Sequence, residues 1–306
     1  MLRSALLAAS RSGGVRALIE KAPPTRAVVR RFVAGETTGD ALRVTGDLLA
    51  GGRLVSLDVL GEDTHDRARA DATVEHYAAL LGALADAGFG ADAEVSLKLT
   101  AVGQALDEDM ALANARRVCA AAREAGTTVT VDMEDHTLVA STLRVVHALR
   151  GEYPDVGAVI QSSLRRAEEY CAELAYEGSR VRLCKGAYAA PAEVAFTGRA
   201  EVDASYVRCL KVLMAGQGYP MVATHDPRLV DIASALAVLD DRAADSFEYQ
   251  MLYGIRPQEQ RRLAGQGFRM RVYVAYGTEW YGYFMRRLAE RPANLAFFAR
   301  ALAGRS

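Results

Sequence analysis

The stretch Arg271-Val-Tyr-Val-Ala-Tyr-Gly-Thr-Glu-Trp-Tyr-Gly-Tyr-Phe-Met-Arg286-Arg287-Leu-Ala-Glu290-Arg-Pro292 decides how the chain is read. Val272, Tyr273, Val274 and Tyr276 have the β-branched and aromatic character of a strand, Gly277 ends it, and Glu279 to Ala289 returns to helix-forming residues. A strand therefore runs into a helix through a very short loop. Adjacent positions on a helix diverge by about 100°, so Arg286 and Arg287 cannot both face one exposed partner. Two guanidinium forks set at an angle suit a carboxylate or a phosphate. The competing reading pairs Arg286 with Glu290 as solvated surface.

Working back from this unit, the same alternation recurs. Short β-rich apolar runs are expected at Arg53 to Leu60, Glu94 to Thr100, Thr128 to Glu134, Val156 to Ser162, Val181 to Ala187, Met221 to His225, Ser246 to Leu252 and Arg269 to Gly277. Amphipathic stretches separate them, near Asp66 to Ala87, Asp107 to Ala125, Leu138 to Arg150, Arg165 to Tyr176, Ala192 to Ala215, Pro227 to Leu239 and Pro257 to Ala264, with Glu279 to Arg300 last. Strands and helices in strict alternation predict an α/β fold, a (βα)8 TIM-type barrel over residues 51–306, preceded by a helical segment over 1–50. A doubly wound open sheet is the competing fold, and six strands is its usual complement.

Thirty-seven Lys and Arg stand against 38 Asp and Glu, a net charge of −1. Nothing in that balance draws in nucleic acid. The four cysteines fall singly, with no C-x-x-C, and no histidine stands at zinc spacing, so reduced thiols in a cytoplasmic setting and no metal are expected. The opening Met1 to Ser10 run is interrupted by Arg11 and reads as a first helix rather than a signal peptide. No apolar run is long enough to cross a bilayer. The glycine fingerprints of dinucleotide-binding and nucleotide-triphosphate-binding loops are missing.

In a parallel barrel the active site is built where the strands end. Those ends carry Glu62, Lys98, Asp132, Glu134, Gln161, Arg182, Lys185, Thr224, His225, Gln250, Tyr273 and Tyr276. Strands buried on both faces should be continuously apolar, so this many polar groups needs a reason. Lys98 and Asp132 belong to consecutive strands and can pair in the mouth, either as a functional site or as a buried ion pair without chemistry. Arg182 and Lys185 have opposite parity on their strand and so reach different sides. Gly186 beside them lets the backbone approach a ligand closely. His225 alone is more often a loop hydrogen-bonding residue than a catalyst.

Taken together, the runs Ser96-Leu-Lys-Leu-Thr100, Val131-Asp-Met-Glu134, Val159-Ile-Gln161, Val181-Arg-Leu-Cys-Lys-Gly-Ala-Tyr188, Ala223-Thr-His225, Phe247-Glu-Tyr-Gln-Met-Leu-Tyr-Gly254 and the closing Tyr273 to Pro292 resemble the flavin-dependent proline dehydrogenases of the monofunctional bacterial type. The resemblance implies a distorted barrel with its last helix over the mouth. It also implies oxidation of L-proline to Δ1-pyrroline-5-carboxylate by hydride transfer to FAD, with electrons passed to a quinone. Lys98, Arg286 and Arg287 then correspond to the cations for the proline carboxylate, and Asp132 to a residue that holds Lys98. Tyr188, Leu252, Tyr273 and Tyr283 pack around the proline ring, and Glu62 is the gate partner of Arg286. Gln161, Arg182, Lys185, Gly186, Ala187, Thr197, Arg199, Thr224, His225, Gln250 and Glu290 correspond to flavin-contacting positions, with Arg182 near the flavin N5. Cys184 and Met251 depart from the apolar residues common along the flavin wall. With no aldehyde dehydrogenase domain in the chain, a separate pyrroline-5-carboxylate dehydrogenase is implied as downstream partner. Peripheral contact with the inner face of a membrane is the second option for location.

Two other classes fit parts of the pattern. A Schiff-base lyase or aldolase barrel would use Lys98 or Lys185 as nucleophile and needs a lowered lysine pKa. A non-catalytic binding protein would leave the rim charges as structural pairs. No residue presents itself as a general base for the proline nitrogen.

Overall fold

The computed structural model describes residues 29–290, without the side chains of 286 and 288–290. The expectations for residues 1–28 and 291–306, and for the side chains of Arg286 and Glu290, lie outside the described residues.

Helix α1 (Thr38–Ala50) opens on a capping box in which Thr37 and Asp40 satisfy each other's backbone amides. Eight strands follow: β1 (Leu54–Val59), β2 (Ala93–Leu97), β3 (Val129–Val131), β4 (Ala158–Gln161), β5 (Arg180–Cys184), β6 (Tyr219–Ala223), β7 (Glu248–Leu252) and β8 (Met270–Tyr276). Between and after them run α2 (Arg67–Asp86), α3 (Glu108–Glu124), α4 (Val139–Arg150), α5 (Ala167–Leu174), α6 (Arg199–Ala215), α7 (Pro227–Leu239), α8 (Pro257–Gly265) and α9 (Trp280–Glu290). Strand order is β3-β2-β1-β8-β7-β6-β5-β4, and all seven ladders are parallel. The first strand thus lies between the second and the eighth, as a closing barrel requires and an open doubly wound sheet does not.

The seam between β3 and β4 is closed by a single parallel bridge, Thr130 to Gly157. Val131 N–H donates to Gly157 O at 2.9 Å and Gly157 N–H to Val129 O at 2.9 Å. A Cβ at Gly157 would lie 2.5 Å from Thr130 Oγ1, so only glycine allows this approach. The distortion expected of the barrel is here.

Helices seal the outer face by apolar stripes at helical spacing, as in α2, where Ala70, Val74, Tyr77, Leu81 and Leu84 are buried. Ala41, Val44 and Leu48 of α1 join the same hydrophobic cluster as the strands. α6 begins at Arg199 rather than Ala192, because Gly198 forms its N-cap in extended conformation after a loop from Pro191. Thr197 therefore stands on an exposed loop.

α9 crosses one side of the mouth. Trp280, Tyr281, Tyr283, Phe284 and Met285 pack against Leu60 after β1, Ile255 after β7, Ala275 on β8 and the segment Val29, Phe32 and Val33. Phe284 and Phe32 meet as tilted rings with centroids 6.3 Å apart. Each fully buried side chain of this kind contributes about 2 kcal/mol, enough together to hold the helix over the rim.

Candidate active site

The barrel interior is filled by charge. Alternate residues of each strand point inward, and here those positions are Ser56 and Asp58, Glu94, Ser96 and Lys98, Thr130 and Asp132, Arg180 and Arg182, Glu248 and Gln250, and Arg271 and Tyr273. At the lower end Arg271 donates to Glu248 at 2.8 Å and Arg180 to Glu94 at 2.5 Å. Burial alone would raise the Glu94 carboxyl, but Arg271, Arg180 and Arg182 pull it down to about 2. One layer up, Arg182 is only 4 % exposed. Its guanidinium donates to Gln250 Oε1 at 2.6 Å, Ser96 Oγ at 2.9 Å, Asp132 Oδ1 at 2.6 Å, Ser56 Oγ at 3.1 Å and Glu94 Oε1 at 3.4 Å. The five N–H groups of an arginine are matched by those five contacts.

At the mouth Lys98 follows the last residue of β2. Its short hydrogen bond goes to Asp58 of β1, with Asp132 Oδ2 at 4.0 Å. Asp132 is instead held by Arg182, by Ser96 Oγ at 2.8 Å and by the Tyr273 hydroxyl at 2.7 Å. The expected partner of Lys98 is thus its second neighbour, and the first, Asp58, was missed. Its signal was the inward parity of Ser56 and Asp58 within β1. Burial lowers the Lys98 ammonium, but Asp58 and Asp132 outweigh it and hold its pKa above the ordinary value. A Schiff-base nucleophile needs the opposite shift, so that alternative loses its premise at Lys98. Lys185 is ion-paired with Asp203 at 2.5 Å and Asp226 at 3.3 Å.

Of the expected ring-packing residues, Tyr273 touches Asp132, the second neighbour of Lys98. Tyr273 and Leu252 are half-buried against the α9 cluster that contains Tyr283. Arg287 is 9 % exposed, with its guanidinium 5.0 Å from the Tyr283 ring centroid. Across the mouth the Tyr188 hydroxyl donates to Glu62 Oε2 at 3.4 Å. Glu62 thereby reaches over the opening from the loop after β1.

Of the expected cofactor residues, Gln161, Lys185, Gly186, Ala187, Thr224 and His225 lie at or just past the ends of β4, β5 and β6. Gln161, at the end of β4, donates to Met133 O at 2.9 Å and Glu134 O at 2.8 Å. Gly186 has φ of +101°, and a Cβ there would meet Ser163 Oγ at 2.5 Å and Gln161 Oε1 at 2.9 Å, so glycine is required. Ala187 follows half-buried. Thr224 accepts from the Asp226 amide at 3.1 Å, and His225 Nε2 accepts from the Leu252 amide at 2.9 Å. Gln250 links Arg182 to Glu248 below. Arg199 begins α6 on the exposed outer side.

Over residues 41–300 the sequence matches the family described as proline dehydrogenase. The chain belongs to the proline dehydrogenase family. It is 39 % identical over 282 residues to proline dehydrogenase 1 of Bacillus subtilis subsp. natto, covering 92 % of this chain and 93 % of that protein. It is 40 % identical over 280 residues to the proline dehydrogenase of Deinococcus radiodurans, covering 90 % of each. Among solved structures it resembles proline utilization A from Bdellovibrio bacteriovorus inactivated by N-propargylglycine, with a TM-score of 0.79 and 26 % identity, over 86 % of this chain and 32 % of that one. The chain spans about a third of that larger protein, but nearly the whole of the stand-alone proline dehydrogenases. The protein is therefore an enzyme, an oxidoreductase that dehydrogenates proline.

One carboxyl at this proline dehydrogenase mouth has a pH dependence that can be stated. Glu134 accepts from Thr100 N–H at 3.1 Å and from the Thr100 hydroxyl at 2.5 Å. Burial raises it, Thr100 and Lys98 oppose, and the result is a pKa of about 7 against an ordinary 4.5. Between those values the folded protein keeps a proton that the unfolded chain releases. The stabilisation is full below the unfolded value and is lost as pH rises through the folded one. Glu134→Gln mimics the protonated form, so its stability relative to wild type is expected to improve by roughly 1–3 kcal/mol between about pH 5 and pH 8. Paired thermal melts at the two pH values read this difference; a constant gap would show that Glu134 does not titrate there.

Proposed function

We propose that the protein oxidises L-proline to Δ1-pyrroline-5-carboxylate, with FAD as hydride acceptor and a quinone as the final electron acceptor. The observation that carries this reading is a buried, positively charged Lys98 at the barrel mouth, held by Asp58, with Tyr273 donating to its second neighbour Asp132, and Tyr273 and Leu252 packed on the α9 cluster whose Tyr283 ring carries Arg287. An ammonium with an arginine fork selects and orients a small carboxylate, and the apolar and aromatic walls receive the ring.

The residues present fit a flavin on the β4–β7 side. Gly186 removes the side chain that would crowd Gln161, and neighbouring strand ends offer an amide, an ammonium, a hydroxyl and an imidazole from Gln161, Lys185, Thr224 and His225. When bound, FAD supplies two-electron acceptance of the hydride from the ring carbon next to nitrogen. Arg182 places a fixed positive charge beneath this half of the site, where it favours a reduced, anionic ring. Tyr273 is kept a neutral donor, since burial and then Asp132 push its hydroxyl well above the ordinary range. Glu62 and Tyr188 span the opening and are proposed to close it with Arg286 over bound substrate.

Quinone reduction is proposed to occur at a membrane surface, the enzyme itself being cytoplasmic; no helix among the described residues is long and apolar enough to cross a bilayer. The product would pass to a separate pyrroline-5-carboxylate dehydrogenase. Turnover of FAD-loaded enzyme with L-proline and a soluble quinone should yield Δ1-pyrroline-5-carboxylate and quinol in equal amounts. Proline consumption that leaves the quinone untouched would refute the acceptor.

A further inference from the structure

The interior network balances four cations, Lys98, Arg180, Arg182 and Arg271, with four carboxylates, Asp58, Glu94, Asp132 and Glu248. Three of the carboxylates hold a guanidinium within 2.8 Å. Asp58 differs. It is 0 % exposed, and among the described residues its one ion-pair partner is Lys98, through Oδ1. Its Oδ2 is buried and accepts no hydrogen bond among the described residues; the one phenol that comes near it, Tyr273, gives its single proton to Asp132 at 2.7 Å. The groups that face it are Lys98 just beyond β2, Asp132 beyond β3, Tyr273 and Tyr276 on β8, and Tyr77 on α2. Of these only Lys98 is cationic.

A ligand carboxylate that docks on Lys98, as in the reading above on which this inference rests, changes that balance. Asp58, Asp132 and the ligand then crowd one ammonium. Like charges in a shared low-dielectric site cannot all stay ionised, and the one with fewest donors gives way. Asp132 retains Arg182, Ser96 and Tyr273, while Asp58 shares its one donor with the newcomer.

We propose that Asp58 takes up a proton when an anionic ligand docks on Lys98, releasing the ammonium to the ligand without leaving a second uncompensated charge in the barrel. Burial followed by the Asp132 charge already holds the Asp58 carboxyl above its ordinary pKa against the pull of Lys98. Asp58 is thus a positioning residue: it parks Lys98 in the free enzyme and yields it on binding.

The test is calorimetric titration of the FAD-loaded enzyme with tetrahydrofuran-2-carboxylate, a ring acid without ionisable nitrogen, at about pH 7.5 in two buffers of different ionisation enthalpy. The buffer dependence should report uptake approaching one proton per site. Asp58→Asn should bind the analogue with no uptake, whereas Glu134→Gln should keep it, separating Asp58 from the other elevated carboxyl near Lys98. Negligible uptake by wild type overturns the proposal whether or not the variant folds, and so does uptake that survives Asp58→Asn. Analogue affinity unchanged in Lys98→Ala would instead refute the placing of the carboxylate on Lys98, a separate failure.

Discussion

Lys98→Ala is expected to raise the proline KM by about a hundredfold while FAD remains bound, read by steady-state kinetics alongside the flavin content of the purified variant. Truncating one partner of a desolvated, hydrogen-bonded charge pair costs about 2–5 kcal/mol, and a hundredfold change, about 2.7 kcal/mol, lies in the lower part of that range. The substituted side chain belongs to the β1–β3 half of the rim, whereas the expected flavin contacts belong to β4–β7. Substrate binding should therefore fall without loss of cofactor. Asp58 and Asp132 would be left around an empty position, which adds repulsion to an incoming carboxylate. Lys98→Arg should not restore the wild-type value, because a planar fork cannot reproduce the short contact to Asp58 in the same space. A KM within threefold of wild type would show that the carboxylate docks elsewhere.

Arg182→Met should produce the largest loss of stability. The guanidinium meets Gln250, Ser96, Asp132, Ser56 and Glu94 from the middle of the barrel. Removing it leaves two carboxylates and three neutral acceptors without their shared donor. Breaking a buried pair by deleting one partner costs about 3–5 kcal/mol, which for a chain of this size corresponds to a fall in melting temperature of roughly 5–8 °C. The measurement is made on protein stripped of FAD, so that lost cofactor binding cannot imitate lost packing. Arg182→Lys should recover only part of the deficit, since three donors on a flexible stem cannot serve five directions. A variant melting within 2 °C of wild type would mean that the network contributes little.

The barrel was legible because its period is coarse. Eight β-rich runs alternate with amphipathic stretches, and each observed strand overlaps one of them and ends at or before its expected last residue, while β2, β5 and β6 begin one or two residues early. Strand ends shift because the polar residues that build the mouth leave the ladder: Lys98, Asp132, Lys185 and Thr224 all lie just beyond the last paired residue. The start of α6 was misplaced because Ala192 to Phe196 has helical composition, while Pro191 and Gly198 set the actual boundary. Lys98, Asp132, Arg182 and Tyr273 were recognisable as charged or aromatic residues where apolar ones belong. Asp58, Glu94, Glu248 and Arg271 were not, because attention to the C-terminal ends of the strands passes over polar residues earlier in them. The partner of a buried charge is set by shear across the barrel, which brings Lys98 to Asp58 and gives Asp132 to Arg182. No local pattern in one strand contains that relation.

This mouth is proposed to hold proline against a flavin. The most direct measurement is the visible absorption spectrum of the FAD-reconstituted enzyme, recorded without oxygen before and after L-proline is added. Loss of the long-wavelength oxidised-flavin band on addition of L-proline, and its return on addition of a quinone, is the predicted result. A protein that takes up no FAD, or whose bound flavin keeps its oxidised spectrum in saturating proline, would contradict the account.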